Sequence, residues 1–177
     1  ENIPAFMRFG GNTAYVEGWA LYSETLGYEM GLFDDPYQRM GTLSDEMLRA
    51  MRLVVDTGLH SKGWSRDRAI QYMIDNSTMG TTDATAEVER YIAIPTQALA
   101  YKVGALKIQE LRARAETALG DDFDIKEFHA QVLDTGALPL PVLEQKIDDL
   151  VEGKDTQLEF VKTLIQKKQK KLSKKGS

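Results

Sequence analysis

Apolar residues recur along most of this chain at intervals of three and four positions, which is the period of an α-helix. The pattern predicts helices over about residues 13–30, 36–59, 65–75, 83–93, 96–119, 125–133 and 141–151, and an eighth beginning near Asp155. Capping residues mark several starts, including Asn12 or Thr13, the pair Asp35-Pro36, and Ser65. No segment alternates polar and apolar residues convincingly, so the predicted fold is all-α with about eight helices.

The composition narrows the possible chemistry. With 177 residues and 42% hydrophobic content, the chain is long and apolar enough for one domain with a core. It lacks cysteine, which excludes disulfides and thiolate metal sites. No stretch of 18 apolar residues, P-loop, GxGxxG or nucleophile elbow occurs. Because the first residue is Glu1 rather than Met, we expect that further sequence precedes it in the parent protein.

Charge divides the chain into a helical domain over residues 1–161 and a basic tail over residues 162–177. The tail holds seven lysines and no acid, so residues 1–161 hold all 27 acids against 15 basic residues, a net charge of −12. A basic tail is a possible contact for nucleic acid or anionic lipid. However, its lysines are not interleaved with aromatic residues for base stacking. We predict a solvated helical tail and no nucleic-acid partner.

Two carboxylates interrupt an otherwise apolar segment of the first predicted helix. Glu17 and Glu24 are seven residues apart, about two turns, and therefore share one face of the helix. A buried carboxylate is unfavourable unless an arginine, a proton or a metal ion compensates it. From the pattern alone, the favoured interpretation of Glu17 is a structural ion pair with an arginine such as Arg52.

The second predicted helix carries a polar face of its own. Arg52, Asp56 and His60 are spaced by four residues and lie on one side of it. Two interpretations of this face have equal weight. It is either an internal ladder of side chains that stabilises the helix, or a functional group in which Asp56 orients the imidazole of His60.

Three separated segments resemble the C-terminal part of a bacterial family known as domain of unknown function 885. They are YVEGWALYSE at residues 15–24, RAMRLVVDTGLH at 49–60, and RYIAIPTQALAYKVG at 90–104. The resemblance spans roughly residues 1–150, and the segments occur in the order found in the family. Members resemble zinc metallopeptidases of the gluzincin type and carry a HExxH-type element shortly upstream of the first segment. This chain has no HExxH, and it has Thr96 where the family often has glycine.

The resemblance implies a role for both carboxylates of the first helix. A gluzincin site combines two histidines one turn apart with a glutamate from a second helix, and it leaves one zinc position for water. Glu17 matches that glutamate ligand. Glu24 would then orient a ligand histidine through its ring N–H. The resemblance therefore favours Glu17 as a metal ligand over Glu17 as a structural carboxylate.

Related peptidases stabilise the oxyanion of the reaction with a histidine or tyrosine outside the metal shell. This makes His60, Tyr91 and Tyr101 the catalytic candidates, with Tyr91 slightly preferred because it stands just before the break at Pro95. For each tyrosine the alternative is a buried ring with a solvated hydroxyl.

The remaining polar and apolar positions receive simpler interpretations. Arg52 and Gln97 are the substrate-binding candidates, since an arginine can bind a carboxylate through two hydrogen bonds. His129 is surrounded by apolar residues and is predicted to be structural. Met47, Met51 and Met73 lie at core spacing.

We therefore interpret the chain as the C-terminal half of a larger helical, metallopeptidase-like fold. The parent is expected to be a zinc-dependent peptidase of the periplasm or cell envelope, whereas this chain alone is expected to be inactive and to bind zinc weakly. Its expected partners are the missing N-terminal half, a peptide-like substrate, or a second copy through exposed apolar surface. The alternative is a non-catalytic all-α scaffold or binding module whose polar face is structural.

Overall fold

Helices dominate the computed structural model, which describes residues 10–153. They are α1 (Thr13–Glu29), α2 (Pro36–Ser61), α3 (Arg66–Asp75), α4 (Thr81–Ala93), α5 (Gln97–Leu119), α6 (Ile125–Leu133) and α7 (Leu140–Val151), with a 3₁₀ turn at Gly120–Asp122. This part of the chain contains no strand, which confirms the predicted all-α class. None of its helices is long and apolar enough to cross a membrane. The predicted eighth helix and the basic tail over residues 162–177 lie outside the described residues.

The polar residues at the helix starts act as the caps that the sequence predicts. Asn12 Oδ1 accepts a hydrogen bond from the backbone N–H of Tyr15 at 2.9 Å. Ser65 Oγ accepts one from the backbone N–H of Arg68 at 3.2 Å. Each bond satisfies an N–H group that has no partner within its own helix. The predicted boundaries are close to the observed ones, although α2 continues to Ser61 rather than ending near residue 59.

Buried side chains form two hydrophobic clusters. The first core lies between α1, α5, α6 and α7, and it includes Leu21, Tyr22, Ile108, Leu111, Phe128, Leu143 and Ile147. The second core lies between α2, α3, α4 and the start of α5, and it includes Met51, Val55, Ile70, Met73, Val88, Tyr91 and Ala98. Because α5 contributes to both clusters, it is the element that holds the two cores together.

His129 packs at the edge of the first core. Its Nε2 lies 2.8 Å from the hydroxyl of Tyr22, and its ring meets that of Trp19 at 5.3 Å between centroids. Burial lowers the pKa of His129, and the neighbouring Arg112 acts in the same direction. These contacts agree with the structural role predicted for this histidine.

Helices α1 and α5 approach each other most closely at two glycines. A Cβ atom placed on Gly18 would lie 2.4 Å from the backbone of Gly104. A Cβ atom on Gly104 would lie 1.7 Å from the carbonyl oxygen of Ala14. Both separations are far below van der Waals contact and involve backbone atoms, which cannot rotate away. The spacing of α1 and α5 therefore requires glycine at both positions.

Several large apolar side chains remain exposed on α1 and α2. Met47 is 49% exposed, so the prediction that it belongs to the core is wrong, whereas Met51 is buried as predicted. Met40 and Leu43, on the preceding turns of α2, are each 60% exposed, and Val16 on α1 is 53% exposed. Residues 10–153 thus leave apolar surface uncovered on both helices.

Replacing Gly104 with alanine should destabilise the fold, because the new methyl group would force α1 and α5 apart. Overpacking of this kind costs about 1–3 kcal/mol, and occasionally more. Gly41→Ala is the matched control, since Gly41 lies in α2 with no atom within 4 Å of an added Cβ. That change should stabilise the fold by up to about 1 kcal/mol through helix propensity. Chemical denaturation of both variants provides the measurement, and equal stabilities would contradict the close contact.

Candidate active site

The candidate residues of α2, α4 and α5 meet where the chain turns from α4 into α5. Thr96 stands at this turn with φ of 71°, in the left-handed region. Its backbone N–H donates to Asp56 Oδ2 at 3.0 Å, and Asp56 is only 1% exposed. A β-branched residue is unfavourable in this region, which explains why glycine is suited to the same position. Asp56 on α2 thus fixes the start of α5.

Arg52 is buried beneath this turn and binds groups of α4. It is 8% exposed, and its Nη2 donates to Glu87 Oε2 at 2.9 Å. Its Nε donates to the hydroxyl of Tyr91 at 3.0 Å. The guanidinium also lies 4.9 Å from the ring centroid of Tyr101, within the range of a cation–π interaction. The partners of Arg52 are therefore Glu87 and two tyrosines, and neither Glu17 nor Asp56 pairs with it among the described residues.

Glu87, Arg90 and Tyr91 form the α4 side of the same cluster. The hydroxyl of Tyr91 donates to Glu87 Oε2, and Arg90 Nη2 donates to that oxygen at 3.1 Å. Burial would raise the pKa of Glu87, but hydrogen bonds from Tyr91, Arg90 and Arg52 outweigh it and hold that pKa below its ordinary value. Burial raises the pKa of Tyr91 to about 12, and its bond to Glu87 adds to this. Glu87 therefore stays ionised and Tyr91 stays neutral.

Gln97 connects this cluster to α1. Its Oε1 accepts a hydrogen bond from Arg90 Nη1 at 3.0 Å. Its Nε2 donates to Glu17 Oε1 at 3.2 Å and to the hydroxyl of Tyr101 at 3.3 Å. Glu17 and Tyr101 are both half-buried. A continuous chain of hydrogen bonds thus joins Glu17 on α1 to Glu87 on α4.

The environment of Glu17 bears on the two interpretations of this residue. Within residues 10–153 its carboxylate receives one hydrogen bond, from the neutral amide of Gln97, and forms no ion pair. The arginine partner favoured by the sequence pattern alone, Arg52, is bound to Glu87 instead. Glu17 is therefore a half-buried anion whose charge no described cation compensates.

His60 and Glu24 lie at the margins of the cluster. His60 is exposed, and its Nε2 lies 3.0 Å from the carbonyl oxygen of Tyr91. Because a carbonyl only accepts, Nε2 is the donor in this contact. Glu24 is exposed and lies 3.6 Å from Arg49 Nη2. His60 thus contacts the cluster through the backbone, and Glu24 faces Arg49 two turns beyond Glu17.

The two candidate tyrosines differ in what their hydroxyls can do. Tyr91 is 1% exposed, and its hydroxyl both donates to Glu87 and accepts from Arg52. Tyr101 accepts a hydrogen bond from Gln97, so its own proton remains available for another acceptor. The geometry therefore favours Tyr101 over Tyr91 as a donor to a bound molecule.

A pocket of about 550 Å³ opens beside Gln97. This volume lies within the range of small-molecule sites. Its walls come from the start of α1, the turn between α4 and α5, and the first two turns of α5, through Asn12, Thr13, Ala14, Ile94, Pro95, Thr96, Gln97, Leu99, Ala100 and Val103. Most of these side chains are apolar, so the pocket suits an apolar group next to the polar cluster.

Sequence reasoning did not select Glu87 and Arg90, although both belong to the cluster. Their spacing on α4 contained a usable signal, because Glu87, Arg90 and Tyr91 are three and four residues apart and share one helix face. What the sequence could not show is that this face turns inward against Arg52. That fact depends on the packing of α2 against α4 in the second core.

This chain matches a bacterial protein family and resembles parts of two solved structures. The model of a family described as "Bacterial protein of unknown function (DUF885)" matches residues 1–147. The crystal structure of a "putative lipoprotein" from Colwellia psychrerythraea is 49% identical with a TM-score of 0.81, over 84% of this chain and 26% of that one. A "putative lipoprotein of unknown function" from Shewanella oneidensis is 29% identical with a TM-score of 0.71, over 76% of this chain and 25% of that one. This chain therefore spans about a quarter of the length of either protein. No curated protein matches it.

Replacing Arg52 with methionine should destabilise the fold by about 2–3 kcal/mol. Loss of one partner from a fully buried ion pair costs about 3–5 kcal/mol, but Glu87 would keep Arg90 and some access to solvent. Arg66→Met is the matched control, because Arg66 pairs with Glu89 on the exposed surface. Its loss should cost far less, because an ion pair exposed to solvent contributes little to stability. Chemical denaturation measures the stability of both variants. Similar unfolding midpoints for the two would contradict a buried role for Arg52.

Replacing Thr96 with glycine should stabilise the fold by up to about 1 kcal/mol. The change removes the strain of a β-branched residue in the left-handed region, which exceeds the entropic cost of an added glycine. Thr57→Gly is the control, because Thr57 is exposed within α2, where glycine should destabilise the helix. Thermal melting of both variants tests this, and a lower melting temperature for Thr96→Gly would refute the strain at this turn.

Proposed function

This chain belongs to the bacterial DUF885 family of unknown function, and we propose that it forms the C-terminal part of a zinc-dependent peptidase in which Glu17 binds the metal. One observation carries the proposal. The carboxylate of Glu17 is half-buried, bonds to the Gln97 amide and meets no cation among residues 10–153. A buried anion of this kind is unfavourable unless a positive partner compensates it. Zinc held jointly with upstream histidines would be that partner.

The described residues fit a zinc site in part. A carboxylate oxygen is an ordinary zinc ligand, and Glu17 keeps one oxygen free of the Gln97 hydrogen bond. Residues 10–153 contain no group of three histidine, aspartate or glutamate side chains that could hold a metal. The remaining ligands must therefore come from a longer protein. When bound, zinc would supply a water molecule acidic enough to attack a carbonyl near neutral pH.

The residues around Glu17 have matching roles in this proposal. The free proton of Tyr101 can donate to the oxyanion that develops on the substrate carbonyl. The open, mostly apolar pocket beside Gln97 can contact a substrate side chain. His60, which is exposed beside the cluster, is a second polar contact for the substrate. Tyr91 and Arg52 support the site from beneath, since their polar groups are used within the cluster.

The upstream part of the same protein is the proposed partner of this chain. It would supply the histidine ligands and cover apolar side chains such as Val16, which is 53% exposed on α1 beside Glu17. A second copy of the chain could cover the same surface when the upstream part is absent. Because two similar structures are described as lipoproteins, we propose that the parent acts at the cell envelope.

A non-catalytic scaffold or binding module is the second candidate function. The observation that favours it is the internal pairing of Arg52, whose Nε and Nη2 bind Tyr91 and Glu87. Under this alternative the cluster stabilises the packing of α2 against α4 and has no ligand. The two functions differ in their prediction for Glu17, since a scaffold gives that carboxylate no metal to bind.

Zinc binding tests the proposed function. This chain alone should bind zinc weakly, because a catalytic site needs three protein ligands. The longer protein, extended upstream through its HExxH element, should bind one zinc ion. Glu17→Ala should lower that affinity by more than about 100-fold, since even residues that only support a ligand contribute 10–100-fold. Titration calorimetry with zinc measures this.

The control for this experiment is Glu127→Ala, which removes an exposed carboxylate of α6 and should leave zinc affinity unchanged. Equal zinc affinity with and without the Glu17 carboxylate would refute the metal-ligand role. The absence of a HExxH element upstream of Glu1 would favour the scaffold.

A further inference from the structure

The side-chain amide of Gln97 contacts three residues of the candidate active site at once. Its Oε1 accepts from Arg90 Nη1 at 3.0 Å, and its Nε2 donates to Glu17 at 3.2 Å and to Tyr101 at 3.3 Å. Both N–H groups of the amide are thus used, and each is directed at a residue to which the proposed function gives a chemical role.

Arg90 determines which way this amide points. A guanidinium group has only donors, so the oxygen of Gln97 must face Arg90 and its NH₂ group must face Glu17. A flipped amide would place NH₂ against the guanidinium and oxygen against the carboxylate, which is unfavourable at both ends. Arg90 is itself held by Glu87 at 3.1 Å and lies 5.2 Å from the ring centroid of Tyr91. The orientation of Gln97 is therefore imposed by α4.

The orientation of the amide has consequences for both of its partners. Because Gln97 donates to the phenol oxygen of Tyr101, the proton of Tyr101 is directed away from Gln97. The ring of Tyr101 is held in turn by Arg52, at 4.9 Å from its centroid. On the other side, one oxygen of Glu17 is engaged by the amide and the carboxylate is restrained from rotating.

We propose that Gln97, oriented by Arg90, is a positioning residue that holds the Glu17 carboxylate and the Tyr101 hydroxyl in fixed relative geometry. This rests on the proposed function, in which Glu17 binds zinc and Tyr101 donates to the substrate. Gln97 then acts through its neighbours rather than by the direct substrate contact expected from sequence. A single amide would hold in place both the metal-binding group on α1 and the oxyanion-binding group on α5.

The first test is independent of zinc and of activity. In ¹H–¹⁵N spectra of this 177-residue chain, both side-chain amide protons of Gln97 should be shifted from the positions of a solvated glutamine, because each donates a hydrogen bond. Glu17→Gln should move one of them and Tyr101→Phe the other. Arg90→Met should move both signals toward the positions of a solvated glutamine side chain, whereas Arg90→Lys, which can still donate to Oε1, should largely retain their shifts. Arg66→Met, at an exposed ion pair, should change neither signal.

Two results would overturn the proposal. One is a pair of Gln97 signals that respond to neither Glu17→Gln nor Tyr101→Phe. The other is a folded Arg90→Met variant with unchanged Gln97 signals. Circular dichroism accompanies each variant. Should Arg90→Met fail to fold, the responses to Glu17→Gln and Tyr101→Phe still decide whether the amide joins the two residues.

The second test uses the longer protein that contains the HExxH element. Gln97→Met removes the hydrogen bonds at similar size and should lower zinc affinity and kcat by about 10–100-fold, with a smaller change in KM. Gln71→Met, on the exposed face of α3, is the control and should change none of these values. A raised KM with unchanged zinc affinity would instead identify Gln97 as a substrate contact. If the unaltered longer protein binds no zinc, the proposed function fails, while the spectra of the shorter chain still test the positioning.

Discussion

The close contact of α1 with α5 at Gly18 and Gly104 is the constraint on which the rest of the structure depends. A Cβ atom on either glycine would lie within 2.4 Å of backbone atoms of the opposite helix. The contact matters for the site because of what adjoins it: Glu17 immediately precedes Gly18, and Tyr101 lies one turn before Gly104. A methyl group added between the two backbones would push α1 and α5 apart. The hydrogen bond from the Gln97 amide to Glu17 is already 3.2 Å long, so this movement would break it. The two small residues therefore set the distance across which the polar cluster forms.

Several hydrogen-bond donors of the polar cluster share one acceptor. Arg52 and Arg90 both donate to one oxygen of Glu87, and Tyr91 donates to the same oxygen. Charge-assisted hydrogen bonds are the strong ones, so this group fixes α2 against α4 and leaves Gln97 to bridge toward α1. The arrangement also separates two tyrosines that look equivalent in sequence. The hydroxyl of Tyr91 both donates and accepts a hydrogen bond within the cluster, whereas that of Tyr101 only accepts one and keeps its proton for another acceptor.

Local sequence signals were sufficient for the helices and insufficient for the partners within the site. Asn12 and Ser65 cap helices as expected because capping depends on groups three residues away. By contrast, Asp56 lies one turn from Arg52 and from His60, yet it binds the backbone of Thr96, forty residues further along the chain. Positive φ at Thr96 turns that N–H toward α2, and no spacing rule within one helix could predict it. The prediction that Met47 belongs to the core was wrong for a related reason. Helical periodicity identifies an apolar face of a helix but does not show whether another element covers it.

The distribution of charge sets Glu17 apart from the other polar residues of the cluster. Arg52 and Arg90 are both close to it in the hydrogen-bond chain, but both are bound to Glu87, and the neutral Gln97 amide stands between them and Glu17. None of the ion pairs found among residues 10–153 involves Glu17. A glutamine at position 17 could accept the same hydrogen bond from Gln97 without a charge. In the proposed function, a cation bound between Glu17 and groups outside residues 10–153 would give this carboxylate the positive partner that the described residues do not provide.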